Sequence, residues 1–345
     1  MSSPHTDITT HKKLLRQRQI RLGLLICVVL LLTALWRIAV GEWDIPLSRV
    51  IGLLSPFISE QDAAAPEAIV IRSVRLPRFL AAAATGGVLA MAGVVLQGLL
   101  SNPLAEPYTL GIAAGAAFGG ALGFMLNSVM VTPMAFLGAL AALWIVSAIA
   151  RFGDGGSNAY LVLAGIVINA ILSSGVTFLK AVADDKLAAI VLWLMGSFSG
   201  ASSFTAALAW ISAFILIIPS FIYGKHLDAV SLGEGRGAML GVNEKRLRTI
   251  LLYAASFASA LTVSSFGIIG FVGLVVPHLL RSVIGPSHRP LVIFSFLTGG
   301  TLLALADGMA QSMGELPVGV LTALIGGPFF CWILVSRKGA ARRTS

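Results

Sequence analysis

Five histidines (His5, His11, His226, His278, His288) and two cysteines (Cys27, Cys331) are the side chains with the chemistry to hold a metal or attack a substrate. No pair stands at metal-ligand spacing, no HExxH run occurs, and each cysteine sits alone in an apolar stretch. A zinc site, a membrane protease and a disulfide framework are therefore not expected. The sequence also has no G-x-x-x-x-G-K-[ST] run, the cradle that an ATP-splitting chain folds around phosphates. Asp307 is the acid nearest the interior of an apolar run. Burial of a carboxylate in hydrocarbon is costly, so it serves either as a proton relay or as a cap or hydrogen-bond acceptor between helices. The second role is expected, because Asp307 falls toward the end of its run. The other runs are nearly bare of charge, which argues against a carrier driven by an ion gradient.

The elements that position these residues are apolar. Of 345 residues, 57% are hydrophobic and 11% charged, with a mean hydropathy of +0.91. Soluble domains carry about 25% charged residues, so the solvent here is lipid. The 37 glycines fit helices that pack closely without a hydrophobic drive between them. Apolar runs predict spans at 20–40, 76–100, 107–126, 131–150, 159–180, 205–223, 248–268, 271–284, 290–312 and 317–335, the eighth being short for a full crossing. The expectation is an all-α integral membrane protein of about ten transmembrane helices. The first run follows a long basic segment and has no small-residue cleavage site, so it reads as an uncleaved helix, not a signal peptide. The domain reading is a basic tail at 1–21, one transmembrane domain at 22–336 that includes the connection 224–247, and a second tail at 337–345. Connections 41–72 and 224–247 are longer than the rest.

Seven of the 24 Lys and Arg residues (Arg37, Arg49, Arg72, Arg75, Arg78, Lys180, Lys186) fall on one face of these spans and the other 17 on the opposite face. This positive-inside bias places both termini in the cytoplasm. It also accounts for the net charge of +9 without nucleic acid. Arg72, Arg75 and Arg78 bunch at one helix mouth, where they either snorkel or dock an acidic partner. Residues 228–243 are rich in glycine and mixed in charge, with Ser231 or Asn243 as a helix N-cap. They suit a solvated loop as well as a force-bearing contact. In Asn102-Pro-Leu-Ala-Glu-Pro107 the prolines end a helix. Trp193-Leu-Met-Gly-Ser-Phe-Ser-Gly200 falls near the outer side after the fifth span, where it is expected to shape a pathway.

Several motifs occur in order between about residues 70 and 336. They are Arg75-Leu-Pro-Arg78, Gly93 to Gln97 running into Asn102–Pro107, and Leu232-Gly-Glu-Gly-Arg-Gly-Ala-Met-Leu-Gly241. They continue with Gly267-Ile-Ile-Gly-Phe-Val-Gly-Leu-Val-Val-Pro-His-Leu-Leu-Arg281, Ala306-Asp307, and Glu315-Leu-Pro-Val-Gly319 into Gly326-Gly-Pro328. In these the chain resembles the FecCD family, permease subunits of bacterial type II ABC importers for iron-siderophores, haem and cobalamin. The resemblance implies two copies enclosing a pathway in the inner membrane, two cytoplasmic ATPases that bind ATP-Mg, and a periplasmic binding protein that delivers cargo. No cofactor is implied in this chain. Its ATPase contact is expected at Leu232, Gly233, Glu234, Gly235, Arg236, Ala238, Leu240 and Gly241, and its docking patch at Arg75 and Arg78. Gln311 stands near the place where some family members carry a further arginine, so the patch is either smaller or completed by Arg72. The inner gate is expected at Asn102 and Leu104 with Ser157 and Asn158. Ferric siderophore is the first cargo expected, then a corrinoid, haem or an oxyanion such as molybdate.

Overall fold

A computed structural model of the chain describes residues 4–41, 43, 45–54, 62, 65–154, 157–233 and 235–341. Among them every regular element is helical. The central helix explains the arrangement. Leu76–Leu99 (α3) carries Ala81 to Ala84, Gly86, Gly87, Ala90, Ala92 and Gly93, which give neighbouring backbones no side chain to clear. Of the most apolar window of Pro66–Leu99, 94% is buried inside the protein. Pro66–Ile69 and a π-helical turn at Val70–Arg75 lead into it.

Around α3 stand α1 (Pro4–Ala39), α4 (Ile112–Leu126), α5 (Val131–Asp154), α6 (Asn158–Ala181), α8 (Ser203–Ile222), α11 (Glu244–Phe266), α12 (Val272–Ile284), α13 (His288–Ser312) and α14 (Val318–Ala341). Among the described residues, seven helices are long and apolar enough to cross a membrane, and α4, α12 and the Val318–Trp332 part of α14 are shorter apolar helices that complete ten. The expected spans and the shortness of the eighth agree with this. Helix α1 starts well before its apolar stretch, at Pro4.

The connections hold shorter helices: α2 (Leu47–Leu54), α7 (Leu187–Leu194), α9 (Gly224–Val230) and α10 (Arg236–Met239). Val50 and Leu53 of α2 pack with Ile38, Ile45, Ala68 and Ile71, so the long 41–72 connection has its own small core. A capping box of Ser202 and Thr205 starts α8. The Asn243 side chain accepts from the Arg246 N–H and caps α11. The hydroxyl of Ser231, the other expected cap, instead donates to the Asp228 carbonyl at 2.9 Å.

Between α11 and α12 the backbone breaks at Gly267 (φ 76°) and turns again at Phe271 (φ 68°), in the left-handed region. Tyr108 fixes this break. Its hydroxyl donates to the Ile269 carbonyl at 2.8 Å and accepts from the Ile269 N–H at 3.1 Å. The Trp193–Gly200 segment sits at the same junction, where Ser197 N–H donates to the Phe266 carbonyl and Gly319 N–H to the Gly196 carbonyl.

Candidate functional site

The expected functional residues gather at the two ends of the bundle. At the first end α3 finishes, and Asn158 ties it to its neighbours. The Asn158 amide donates to the Leu99 carbonyl at 3.3 Å, and its oxygen accepts from Arg248 of α11 at 2.6 Å. Asn102 folds back so that its side-chain oxygen accepts from the Leu104 N–H at 2.9 Å, and this leaves the Leu104 side chain exposed. Ser157 caps α6 by accepting from the Tyr160 N–H. The four expected gate residues thus lie at one end of the bundle, with Asn158 as the bridge between α3, α6 and α11.

The 224–247 connection occupies this same end. Gly98 of α3 lies against Leu227 of α9. Beyond α9 the chain turns through Gly233 (φ 129°) and Gly235 (φ 76°) into the single turn of α10, and leaves at Gly241 (φ 78°). These φ values are open to glycine and strained for other residues. Glu244 steadies the turn, its carboxylate accepting from the Ala238 N–H at 3.0 Å. Leu232, Met239 and Leu240 remain exposed, Met239 at 87%. Arg236 begins α10, and Glu234 lies outside the described residues.

At the opposite end each of the three expected docking arginines has a partner inside the protein. Arg72 donates to the Leu53 carbonyl at 2.9 Å and closes the C-terminus of α2. Arg75 donates to Ile38 and Ala39 carbonyls at 2.8 and 2.9 Å and closes α1; it also reaches the Trp43 carbonyl. Basic groups favour helix C-termini, where carbonyls lack partners and the dipole is negative. Arg78 is 7% exposed and engages Asp307 through Nε at 2.9 Å and Nη2 at 3.0 Å. It also pairs with Glu315 at 2.9 Å.

Arg37 of α1 completes the cluster, meeting Asp307 at 2.7 Å and also the Gln311 side chain. Asp307 is therefore an acceptor shared by three helices, as its position suggested. Burial alone would raise the Glu315 carboxyl, but hydrogen bonding to Arg78 reverses this and holds it below the ordinary carboxylate range. By sequence Arg37 is only a topogenic charge, because its partner lies 270 residues away.

A cavity of about 570 Å³ lies between α1, α12, α13 and α14, lined by apolar side chains with the hydroxyls of Thr298, Thr301 and Thr322. Helix α6 presents an open, partly hydroxylated face to the bundle's exterior. Ser173, Ser174 and Thr177 are exposed on it, beside Leu163, Ile166, Val167 and Ile171. The Ser174 and Thr177 hydroxyls donate to carbonyls one turn back, so a hydroxylated face is presented at little polar cost.

Nine apolar crossings around one buried small-residue helix, with broken helices in the path of the chain, define an α-helical permease architecture. The chain belongs to the FecCD transport family, whose profile matches residues 26–336. It is 40% identical over 286 residues to the hemin transport system permease HmuU of Yersinia pestis, covering 77% of this chain and 83% of that one. It is 38% identical over 279 residues to the cobalamin import permease BtuC of Halobacterium salinarum, covering 78% and 74%. It also resembles a solved structure described as an inward-facing conformation of a metal-chelate type ABC transporter, with 30% identity, a TM-score of 0.79, and coverage of 90% of this chain and 97% of that chain.

Proposed function

We propose that this chain is the membrane-spanning subunit of an ABC importer that moves a metal chelate into the cytoplasm by alternating access. The observation that carries the reading is the exposed apolar set Leu232, Met239 and Leu240, on a glycine-hinged turn outside the spans. Such a patch suits a protein partner, here a cytoplasmic ATPase that binds ATP-Mg and contacts residues 232–241. The end carrying 224–247 then faces the cytoplasm of a bacterial inner membrane, in keeping with the charge bias. A second copy covers the open face of α6, and cargo passes between the two, with Asn102, Leu104, Ser157 and Asn158 at the inner constriction. ATP binding shifts the states only as far as the ATPases bind it differently in each.

A periplasmic binding protein delivers cargo at the opposite end, steered by charge at Arg72, Arg75 and Arg78. Those arginines already close helix ends or pair with acids, so a partner's carboxylates add to existing contacts. Ferric siderophore is the first cargo to test, with corrinoid, haem and molybdate beside it.

The experiment is co-purification with the ATPase subunits. Leu232→Glu with Leu240→Glu is expected to abolish ATPase recovery while the permease still extracts as a folded dimer. Undiminished recovery would remove the contact from this segment.

A further inference from the structure

Helix α13 runs unbroken for 25 residues from the 224–247 end of the bundle to the ion cluster at the other, a length of about 37 Å. Its N-terminus is capped from outside its own segment. Asp228 of α9 accepts from the His288 N–H at 2.8 Å, meets the His288 Nδ1 at 2.6 Å, and accepts from the Ser287 hydroxyl at 3.3 Å. Ser287 stands at the N-cap position and makes no cap of its own, although serine is among the residues best suited to that role. The free amide of α13 is thus given to a residue 60 positions earlier. One residue on, Arg289 donates to the Phe221 and Ile222 carbonyls and lies over the Phe221 ring, which ties the end of α8 to the same point.

The node also includes α3. A methyl group at Gly98 would lie 2.5 Å from His288 Nε2 and 3.0 Å from the Leu227 side chain. His288 is 3% exposed, and its Nε2 has no hydrogen-bond partner. A buried nitrogen left unmatched carries a desolvation cost in this arrangement. Farther along, α3 and α13 touch backbone to backbone at Gly86 with Gly299, and at Gly300 with Ala83. Helices packed this closely move together. Their far ends carry Arg78 and Asp307, joined to each other and to Arg37.

We infer that Asp228 and His288 form the joint through which movement of the 224–247 segment reaches the paired helices α3 and α13, and through them the Arg37–Arg78–Asp307 cluster. They are positioning residues. The inference rests on the importer reading for the source of the movement, and adds the path it takes.

The test uses the whole transporter, with its ATPase and binding protein, in proteoliposomes. Asp228→Ala and His288→Leu are each expected to lower uptake, and the stimulation of ATP hydrolysis by loaded binding protein, by about tenfold. Assembly and unstimulated hydrolysis are retained, and the double variant adds little to either single one. His288→Asn keeps a donor near the Nδ1 position and recovers stimulation. If Asp228→Ala assembles poorly, Asp228→Asn replaces it, since it keeps an acceptor and loses the charge. Normal stimulation and uptake in both single variants overturns the joint and leaves the importer reading standing. Equal loss of assembly, unstimulated hydrolysis and uptake, unrelieved by His288→Asn, also overturns it, because that pattern belongs to a purely structural cap. If hydrolysis in the unaltered transporter ignores loaded binding protein, the importer reading itself falls, and the joint with it.

Discussion

Single residues at the two ends of the bundle do unlike work, and their exposure separates them. Asp307 is almost fully buried between two arginines, so Asp307→Ala leaves guanidinium charge unmatched inside the protein and is expected to cost about 3–5 kcal/mol. Glu315 shares Arg78 but has a side chain 42% exposed, so Glu315→Ala should cost about 1 kcal/mol or less. Thermal unfolding in detergent distinguishes the two; equal losses would contradict the ranking. At the other end, burial alone would raise the Asp228 carboxyl. Its hydrogen bonds with the His288 ring and N–H more than offset that and bring it below the ordinary range. A lowered folded-state pKa contributes stability above the unfolded value of about 3.9, and that contribution is lost as pH falls through the folded value. The melting difference between the unaltered protein and Asp228→Asn should therefore be present at neutral pH and shrink as pH falls below the unfolded value; a constant difference would assign the effect to packing. Sequence made the type and rough depth of these residues legible, including Asp307 as an acceptor. It did not reveal that Arg72 and Arg75 close helix ends while Arg78 pairs with acids, because a row of charges in one segment says nothing about which carbonyls from α1 and α2, or which carboxylates, lie beside it.

Elements follow the same division. The spans were legible because lipid enforces length and apolarity on every crossing. The short helices α2, α7, α9 and α10 were not, since their conformation comes from packing: Val50 and Leu53 of α2 find their place only against Ile38 and Ile71. A recurring device joins the two kinds of element. Lys186 donates to the Met125 carbonyl at the end of α4, as Arg289 does at the end of α8 and Arg75 at the end of α1. Basic residues that orient the chain in the membrane also close its helices. The packing of α3 against α13 makes a tight demand on sequence. A methyl group at Gly299 would come 2.6 Å from the Ala90 side chain and reach the Gly86 backbone. Gly299→Val should therefore nearly abolish recovery of monodisperse protein, whereas a valine at Gly52, which has open space around it, should not. Similar yields for both would mean that α3 and α13 are not held as a pair.

At the scale of the molecule, one bundle carries an exposed apolar segment at one end, an ion cluster at the other, and a buried helix pair between them. In the proposed assembly the hydroxylated outer face of α6 is what a second copy meets. Cargo does not follow from this arrangement, because in the proposed importer the chamber lies between two copies and selectivity rests with a separate binding protein. The central claim is that ATP hydrolysed by partner subunits, and not an ion gradient, drives transport through this chain. Its most direct test is uptake into proteoliposomes that hold the permease and its ATPase, supplied with loaded binding protein and labelled ferric siderophore, corrinoid or haem in parallel. The account predicts accumulation of one cargo that requires ATP on the side of residues 232–241 and persists when proton and sodium gradients are collapsed. Accumulation without ATP that follows an imposed ion gradient would contradict it.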